Sequence, residues 1–404
     1  MGPISPAIRK IASSIVLLLF AACSTPYDPP VVEEPGIAPT GSQIPSFQGI
    51  SALINPTSTP RVLWTHGMCS HDESWVEARV AMVAAALSGQ VIKDTSAVSK
   101  DNAYVVPVSI MTPNGKVHIA FAVWSPLTTR YKTLLVADNP DRPNESNSFP
   151  VGQNPYRRAS LNRDLKVSLM NDCLVDAVVY SGDNGSTIRN FMLEAVCTTL
   201  DGYLDKTGCD LTHADNQAIV FVTESLGSKI LFDAVRQIWN EHRWRSAGAR
   251  QKLAERIGSI QMIFMAANQI PVLDQANPPL LTALPSPIRG WHAPSVNALL
   301  TILADSRQRA APLVGKRTIV AFSDPNDLLS YRLLSADLET ADARLINVIV
   351  SNDDTLGGYV ERPDNAHCGY SWNPYVIGMI VNGYDGARPF SKVPGAGSNS
   401  CLGP

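Results

Sequence analysis

The stretch that decides the fold is residues 217–231, which read Gln-Ala-Ile-Val-Phe-Val-Thr-Glu-Ser-Leu-Gly-Ser-Lys-Ile-Leu. The apolar run that ends at Val222 predicts a buried strand, and apolar spacing of the helical type begins at Ile230. Between them lies a turn of small residues around Ser225. A serine on such a sharp strand-to-helix turn exposes its hydroxyl near a helix N-terminus. Ser225 is therefore the candidate nucleophile, and the backbone N–H of Leu226 is a candidate oxyanion donor.

A serine nucleophile needs a base to take its proton and a third group to orient that base. Downstream of Ser225, a predicted strand over residues 317–322 runs into a loop that carries Asp324 and Asp327. A later strand that ends near residue 350 leads to a loop that carries His367. The chain order is therefore nucleophile, acid, histidine.

Two aspartates compete for the role of the acid. Asp327 precedes Leu328 and Leu329, whereas Asp324 lies closer to the end of the strand and belongs to an Asp-Pro pair. We take Asp327 as the first choice and Asp324 as the alternative. The aspartate that is not the acid is expected to cap a helix holding Leu328 and Tyr331.

Short β-type runs alternate with helical segments from about residue 61 onward, which favours an α/β architecture with a mainly parallel sheet. The predicted strands cover residues 61–66, 103–110, 116–124, 175–180, 218–222, 257–266, 317–322 and 344–350. The second and third of these flank a turn at residues 112–115 and should form an antiparallel hairpin. Helices are predicted over residues 73–87 and 373–381, after residue 180 and after Ser225.

The order Ser225, Asp327 or Asp324, then His367 resembles the α/β-hydrolase family, and the resemblance covers residues 61–384. It implies an α/β-hydrolase fold, with a mostly parallel central sheet and helices on both faces. His66-Gly67-Met68 resembles the oxyanion loop of that family, in which the backbone N–H of Met68 is the second donor. The elbow departs from Gly-x-Ser-x-Gly, because Thr223 stands in place of the first glycine, whereas Gly227 is kept.

The resemblance implies a serine hydrolase, similar to an esterase or a lipase, that cleaves carboxylic esters through an acyl-enzyme. Acyl transfer or amide hydrolysis on the same triad is the enzymatic alternative. A non-catalytic envelope lipoprotein that uses the fold for binding is the alternative from another class. No cofactor and no metal are expected, since the chain carries neither a nucleotide-binding glycine motif nor zinc-type ligand spacing. His66, His71 and Asp72 are the nearest approach to a metal cluster.

The N-terminus reads as a bacterial lipoprotein signal. Arg9 and Lys10 precede an apolar run over residues 11–22, which is too short to span a bilayer. Small residues then precede Cys23, as at a lipoprotein processing site. We expect a signal peptide over residues 1–22, then lipidated Cys23 with a flexible tether over residues 23–46. An α/β-hydrolase domain over residues 47–404 follows, with a candidate cap at residues 271–294. This places the protein in the bacterial cell envelope, lipid-anchored at the outer membrane or facing the periplasm.

The composition limits which classes of binding partner are expected. The chain has 404 residues, a net charge of −3 and only 17% charged residues, which argues against a nucleic-acid binder. The expected partners are a small or lipid-like ester and, through Cys23, a membrane; the oligomeric state stays open. Six further cysteines in an oxidising compartment predict disulfides, but the sequence does not determine which cysteines pair with each other. Cys69 and Cys368 adjoin candidate site residues, and a disulfide bracing one of these two loops is expected rather than a cysteine nucleophile.

Overall fold

The computed structural model describes most of the chain. The described residues are 23–35, 45–93, 98–100, 102–136, 158–206, 208–211, 215, 217–242, 245–276, 294–309, 317–334, 343–386 and 389–393. The predicted signal peptide over residues 1–22 lies outside them. So does most of the candidate cap, of which residues 271–276 and 294 are described.

The described strands are numbered in chain order. They are β1 Cys23–Ser24, β2 Val31–Glu33, β3 Phe47–Gln48, β4 Arg61–Thr65, β5 Gln90–Lys93, β6 Val98–Lys100, β7 Ala103–Thr112, β8 Gly115–Val123, β9 Tyr203–Asp205, β10 Gly208–Asp210, β11 Ile219–Glu224, β12 Ile260–Ala266, β13 Arg317–Ser323, β14 Ala343–Ile349, β15 Thr355–Leu356 and β16 Gly383–Tyr384. Most of the longer ones coincide with the apolar runs that predicted them.

Ten of these strands form one sheet. Its order is β2-β14-β13-β12-β11-β4-β8-β7-β5, and β6 pairs beside β5 on β7. The six neighbours from β14 to β8 are mutually parallel, while β2, β7, β5 and β6 join antiparallel at the two edges. The predicted hairpin is confirmed as β7 and β8. The expected mainly parallel α/β sheet is thus confirmed.

The described helices are likewise numbered in chain order. They are α1 Glu73–Ala86, α2 Thr129–Val136, α3 Ser160–Leu165, α4 Val175–Ser181, α5 Gly185–Thr199, α6 Leu226–Glu241, α7 Ala247–Gly258, α8 Ile270–Leu273, α9 Pro294–Arg309, α10 Pro363–Cys368 and α11 Pro374–Asn382. A π-helix over Lys166–Leu174 joins α3 to α4, so that residues 160–181 form one helical segment.

Helices cover both faces of the sheet and bury two separate apolar cores. One core holds buried residues of α5, α6, α7 and α9 together with Phe221 of β11. The other holds those of α1 and α11 together with Val220 and Val222 of the same strand. Side chains alternate between the two faces because successive residues of a strand point in opposite directions. A strand buried on both faces reads as a continuous apolar run, which is why β11 was visible in the sequence.

The strand predicted at residues 175–180 is wrong, because this segment is helix α4. Its β-branched valines favour a strand locally. The segment instead continues the helix that begins at Ser160. Val179 and Tyr180 pack into the first core, whereas Val178 stays 66% exposed. Packing of one helical face therefore overrides the intrinsic preference.

The segment after Cys23 contacts the body of the protein. Residues 31–33, which we expected within a flexible tether, form β2 on the edge of the main sheet. Arg344 of β14 donates from Nε to both carboxylate oxygens of Glu34, each at 2.9 Å. The chain is thus fixed to the sheet edge before it enters the residues 36–44, which lie outside the described part. No helix in the described part is long and apolar enough to cross a membrane.

Candidate active site

Ser225 lies at the junction of β11 and α6 in a strained backbone conformation. Its φ is 52° and its ψ is −124°, a region that residues with a side chain rarely adopt. The Ser225 N–H donates to the carbonyl of Ala266 at 2.7 Å, which fixes the turn to the end of the neighbouring strand. The side chain is buried, with 4% of the residue exposed. Strain held in place by its surroundings is typical of a functional turn.

Two glycines make the close packing around this turn achievable. A Cβ at Gly227 would lie 2.4 Å from the carbonyl oxygen of His66. A Cβ at Gly67 would lie 2.5 Å from the Cβ of Ser225. Both distances are shorter than real Cβ contacts allow. The loop after β4 therefore passes directly beside the candidate nucleophile.

Thr223, which replaces the first glycine of the family's elbow, is accommodated by hydrogen bonds. Its hydroxyl lies 2.8 Å from the Oγ of Ser228 and donates to the carbonyl of Phe264 at 3.1 Å. A buried hydroxyl without partners is costly, and here both capacities are used. The departure from the motif thus leaves the Thr223 hydroxyl satisfied.

Ser225, His367 and Asp327 form a continuous hydrogen-bonded row. The Oγ of Ser225 lies 3.0 Å from the Nε2 of His367. The Nδ1 of His367 lies 2.9 Å and 3.0 Å from the two carboxylate oxygens of Asp327. All three residues are buried. A proton on Nδ1 shared with the carboxylate leaves Nε2 free to accept the serine proton.

The three groups come from separate parts of the sheet. Ser225 follows β11, Asp327 follows β13, and His367 lies in α10, which begins beyond β14 and β15. Because β11, β13 and β14 run parallel, these segments meet at the same edge of the sheet. The three residues therefore lie together at this edge although they are far apart in the sequence.

Asp324, the alternative acid, is bonded elsewhere. Its carboxylate accepts from the backbone N–H groups of Asn326 and Asn352, at 2.9 Å and 2.6 Å. Burial raises the pKa of Asp324 to about 6, and the neighbouring charge of Asp327 adds to the rise. Asp324 ties the loop after β13 to the loop after β14. The helix that we expected it to cap is absent, since residues 324–334 form turns and stretches without regular secondary structure.

The two candidate oxyanion donors flank Ser225. Leu226 is the first residue of α6, and Met68 lies in the loop after β4. Met68 lines the cavity at Ser225. Leu226 is fully buried beneath the turn. Their role as oxyanion donors stays a prediction.

The loop that carries Met68 is held by several bonds. A disulfide joins Cys69 to Cys173 of the π-helix. The Cys69 N–H donates to the Oδ2 of Asp176 at 2.8 Å, and the Ser70 N–H donates to the Oδ2 of Asp172 at 3.0 Å. These restraints hold Cys69 at a φ of 82°, in the region that disfavours side chains.

A buried lysine pairs with the two carboxylates that hold this loop. Lys132 lies 3.2 Å from Asp172 and 3.0 Å from Asp176. Burial raises the pKa of Asp176 to about 7, and the charge of Lys132 opposes that rise. The carboxylates that accept from the loop are therefore paired rather than isolated, as buried charges need to be.

His66 and His71 do not form a metal site. The Nδ1 of His66 lies 2.7 Å from the carbonyl of Gly67, and its Nε2 accepts from the Trp124 N–H at 3.0 Å. Burial lowers the pKa of His66 well below its ordinary value. Its ring stacks on that of His71 at 4.3 Å. Both nitrogens of His66 are engaged in packing the loop.

One group in the described part of the chain has the spacing of metal ligands, namely Cys69, Asp172 and Cys173. Its two sulfurs are bonded to each other in the disulfide. A disulfide leaves no thiolate for a metal or for nucleophilic attack. Cys368, beside His367, is also disulfide-bonded. The expectation that a disulfide braces one of these two loops is therefore confirmed, and both cysteines are in fact disulfide-bonded.

A cavity of about 650 Å³ opens onto Ser225 and His367. Its lining is mixed, because aromatic residues share it with charged and polar ones. Trp75, Trp372 and Tyr370 contribute rings, and Asp72, Arg79 and Glu224 contribute charges. The expectation of a small or lipid-like ester stays a prediction.

Sequence reasoning missed several residues at this site. Gln269, after β12, places its Nε2 3.4 Å from the Nε2 of His367. Glu224, next to Ser225, accepts from the Trp64 indole at 3.0 Å and from the Ser371 hydroxyl at 2.6 Å. The one sequence signal was for Glu224, since a carboxylate at the end of an apolar strand is unusual.

This chain has little detectable similarity to known proteins. No protein-family model and no curated protein matches this chain. Among solved structures, one titled "Structure of YahD with Malic acid" matches at 9% sequence identity with a TM-score of 0.24. That match covers 77% of this chain and 91% of the other.

Proposed function

We propose that this protein is a serine hydrolase that cleaves carboxylic esters. The observation that carries the proposal is the hydrogen-bonded row from Ser225 through His367 to Asp327. The strained turn at Ser225 and the cavity of about 650 Å³ that reaches it support the same reading. A buried serine–histidine–carboxylate row at the mouth of a cavity matches what acyl transfer to water requires.

In the proposed mechanism, the Nε2 of His367 accepts the Ser225 proton as the serine oxygen attacks the ester carbonyl. Asp327 holds the Nδ1 proton and stabilises the imidazolium that forms. The backbone N–H groups of Met68 and Leu226 stabilise the tetrahedral oxyanion. His367 then protonates the leaving alcohol, and water attacks the acyl-enzyme by the same route to release the acid.

The test is hydrolysis of p-nitrophenyl acetate and butyrate by the mature protein and by Ser225→Ala. We expect the variant to lose measurable turnover of both esters, because its nucleophile is absent. Ser228→Ala is the matched control, since it removes a buried hydroxyl one helical turn away that bonds to Thr223. Equal rates in the wild type and Ser225→Ala, with unchanged circular dichroism, would remove the proposal.

Active-site labelling provides a second readout that does not depend on the choice of ester. A serine-directed fluorophosphonate should modify Ser225 in the folded wild type and leave Ser225→Ala unlabelled. Labelling at Ser225 without ester turnover would favour acyl transfer or amide hydrolysis on the same row. Absence of labelling would instead favour a binding protein.

We further propose that Cys23 is lipidated and anchors the protein in the bacterial envelope. Cys23 and Ser24 pair with Leu356 and Thr355, so the candidate anchor lies against the body. Leu356, Tyr359 and Val360 beside it are 61%, 95% and 52% exposed, respectively. Exposed apolar side chains next to an acylated residue suit a membrane surface.

Detergent-phase partitioning tests this anchor. The protein expressed in bacteria with its full leader should enter the Triton X-114 phase, whereas Cys23→Ala should move to the aqueous phase. Ser24→Ala serves as the control, because it alters the neighbouring residue and keeps the cysteine. Equal partitioning of wild type and Cys23→Ala would contradict lipidation.

A further inference from the structure

Arg79 is a buried cation in the wall of the cavity that contains Ser225. It belongs to α1, its side chain has 0% solvent exposure, and it lines the cavity. Its Nε, Nη1 and Nη2 atoms are buried and have no hydrogen-bond partner among the described residues. An unsatisfied buried guanidinium is rare and calls for an explanation in terms of a ligand or a function.

The contacts that Arg79 does make are electrostatic rather than hydrogen-bonded. Its Nε lies 3.6 Å from the Oε1 of Glu224, which is beyond hydrogen-bonding distance. Its Cζ lies 5.4 Å and 4.6 Å from the ring centres of Trp75 and Trp372. Aromatic faces stabilise a cation but accept no directed hydrogen bond from the ends of the guanidinium fork.

The Glu224 carboxylate accepts its hydrogen bonds from groups other than Arg79. One of its carboxylate oxygens accepts from the Trp64 indole and the other from the Ser371 hydroxyl. The carboxylate therefore balances the charge of Arg79 at a distance while its hydrogen bonds go elsewhere. In the described part of the chain, the donors of the guanidinium fork thus have no acceptor.

The other ionisable groups of the cavity wall already have partners. Asp72 accepts from the backbone and the hydroxyl of Ser74. Burial lowers the pKa of His71 to about 4, so this ring is neutral at physiological pH. His367 is paired with Asp327. Among the described residues that line the cavity, Arg79 thus supplies the permanent positive charge.

We propose that Arg79 binds a carboxylate carried by the ester substrate, so that the protein selects anionic esters. This inference rests on the proposed ester hydrolysis at Ser225. A guanidinium fork matches the two oxygens of a carboxylate, and such charge-assisted pairs are stronger than neutral hydrogen bonds. Since Arg79 has no solvent exposure, the carboxylate reaches it by displacing the neighbouring ring of Trp372, which is partly buried.

Matched esters test the proposal by kinetics. On the acyl side, p-nitrophenyl monoesters of glutarate, adipate and pimelate are compared with the pentanoate, hexanoate and heptanoate. On the alcohol side, 4-acetoxybenzoate is compared with 4-methylphenyl acetate. We expect the wild type to prefer the carboxylate member of at least one pair by tenfold or more in kcat/KM. Arg79→Met should reduce that preference by about tenfold to a hundredfold.

Two further variants keep the result interpretable if Arg79→Met folds poorly. Arg79→Met combined with Glu224→Gln removes the carboxylate that the single change would leave unbalanced. Arg79→Lys keeps the charge and loses the fork, so it should keep part of the preference. The proposal is overturned if the wild type shows no preference in any pair, or if Arg79→Met slows both members of a pair equally.

A binding measurement separates this inference from the proposed hydrolysis. Ser225→Ala is titrated with adipate and with adipamide while tryptophan fluorescence is recorded. Since Trp75 and Trp372 contact Arg79, adipate should give a saturable change that Arg79→Met abolishes, whereas adipamide should give none. Saturation without ester turnover would retain the carboxylate site and remove the hydrolase. Ester turnover without a saturable fluorescence change and without a preference for the carboxylate esters would retain the hydrolase and remove the carboxylate site.

Discussion

At the scale of single residues, the two aspartates after β13 differ in the groups that their carboxylates accept from. Asp327 lies 2.9 Å from the Nδ1 of His367. Asp324 lies only three positions earlier but accepts from backbone N–H groups, including that of Asn352. One carboxylate therefore orients the candidate base, and the other joins two loops.

This difference predicts opposite effects of two matched substitutions. Asp327→Asn should lower kcat for ester hydrolysis by about a thousandfold to ten-thousandfold, because an amide does not hold the histidine in the required tautomer. Asp324→Asn should change kcat by less than about tenfold, since its contacts position loops. Steady-state kinetics and circular dichroism of the two variants give the comparison. A larger loss in Asp324→Asn than in Asp327→Asn would reverse the assignment of the acid.

Glu361 shows how burial of a single carboxyl couples to pH. It is 6% exposed, and one oxygen accepts from the Asn326 amide at 2.8 Å, while the other has no hydrogen-bond partner within the described part of the chain. Burial raises the pKa of Glu361 to about 8 from an ordinary value of 4.5, and the charges of Asp324 and Asp353 add to the rise. The folded state therefore prefers the protonated carboxyl.

The sign of the pH effect follows from this preference. With a raised pKa, the stability contribution of Glu361 is fully present below about pH 4.5 and is lost as the pH rises toward about 8. Glu361→Gln should raise the free energy of unfolding at pH 8 by about 1 kcal/mol or more and change it little at pH 5. Thermal unfolding across this range measures it, with exposed Glu77→Gln as control. An equal effect at both pH values would contradict the titration.

At the scale of secondary-structure elements, the elbow depends on how closely α6 approaches the loop after β4. Gly227 lies in the first turn of α6, where a Cβ would meet the His66 carbonyl oxygen at 2.4 Å and the Thr65 methyl at 3.1 Å. The first contact is with backbone, which cannot rotate away. An added methyl group must therefore separate the helix from the loop.

Gly227→Ala should destabilise the protein by about 1–3 kcal/mol and reduce ester hydrolysis, because overpacking displaces the turn at Ser225. Gly248→Ala is the matched control, since it lies early in α7 with nothing within 4 Å of the added Cβ. There the change should be neutral or stabilising by up to about 1 kcal/mol. Denaturant unfolding of both variants tests the pair. Equal stability of Gly227→Ala and the wild type would show that α6 can move without cost.

Strands and helices could be predicted from the sequence where a strong local pattern of apolar residues agrees with the structure that the segment adopts. The strand β11, its turn and α6 were visible because a run buried on both sheet faces stops at small residues and resumes with helical spacing. The order of Ser225, Asp327 and His367 then indicated which loops meet. In the structure Ser225 and Asp327 each lie within hydrogen-bonding distance of His367, and the catalytic roles of the three remain a proposal.

The rest could not be predicted because it depends on contacts between distant residues. Residues 175–180 carry a strand-like run, yet their place in a longer helix is decided by packing of Val179 and Tyr180. Arg79 is one arginine in a helix until Trp372, far along the chain, is folded against it. Gln269 likewise reaches His367 across 98 positions. No local pattern encodes such contacts.

At the scale of the whole molecule, the loop that carries Met68 is tied to the helical segment over residues 160–181, on the same face of the sheet as α5 and α6. The disulfide from Cys69 to Cys173 closes a separation of 104 residues. The second described disulfide, from Cys197 to Cys209, closes a separation of only 12 residues. In the chain-entropy account, closing the longer loop removes more conformational freedom from the unfolded chain. The expected stabilisation is about 4–5 kcal/mol for Cys69–Cys173 and about 3 kcal/mol for Cys197–Cys209.

Replacing each pair by serines should therefore lower stability in both cases, and more for Cys69→Ser with Cys173→Ser. Catalysis should respond less. Asp176 and Asp172 still accept from the backbone N–H groups of Cys69 and Ser70 after the sulfurs are removed. Those two bonds keep the Met68 N–H in place while the molecule is folded, so we expect kcat to fall by less than about tenfold.

Calorimetry and ester kinetics at a temperature where both double variants are folded separate these two effects. The Cys197→Ser and Cys209→Ser variant is the control for loss of a disulfide remote from Ser225. Suppose that kcat falls about a hundredfold in the Cys69 and Cys173 variant and stays unchanged in the control. The disulfide, rather than the carboxylates, would then hold the oxyanion loop, and the activity would depend on an oxidising compartment.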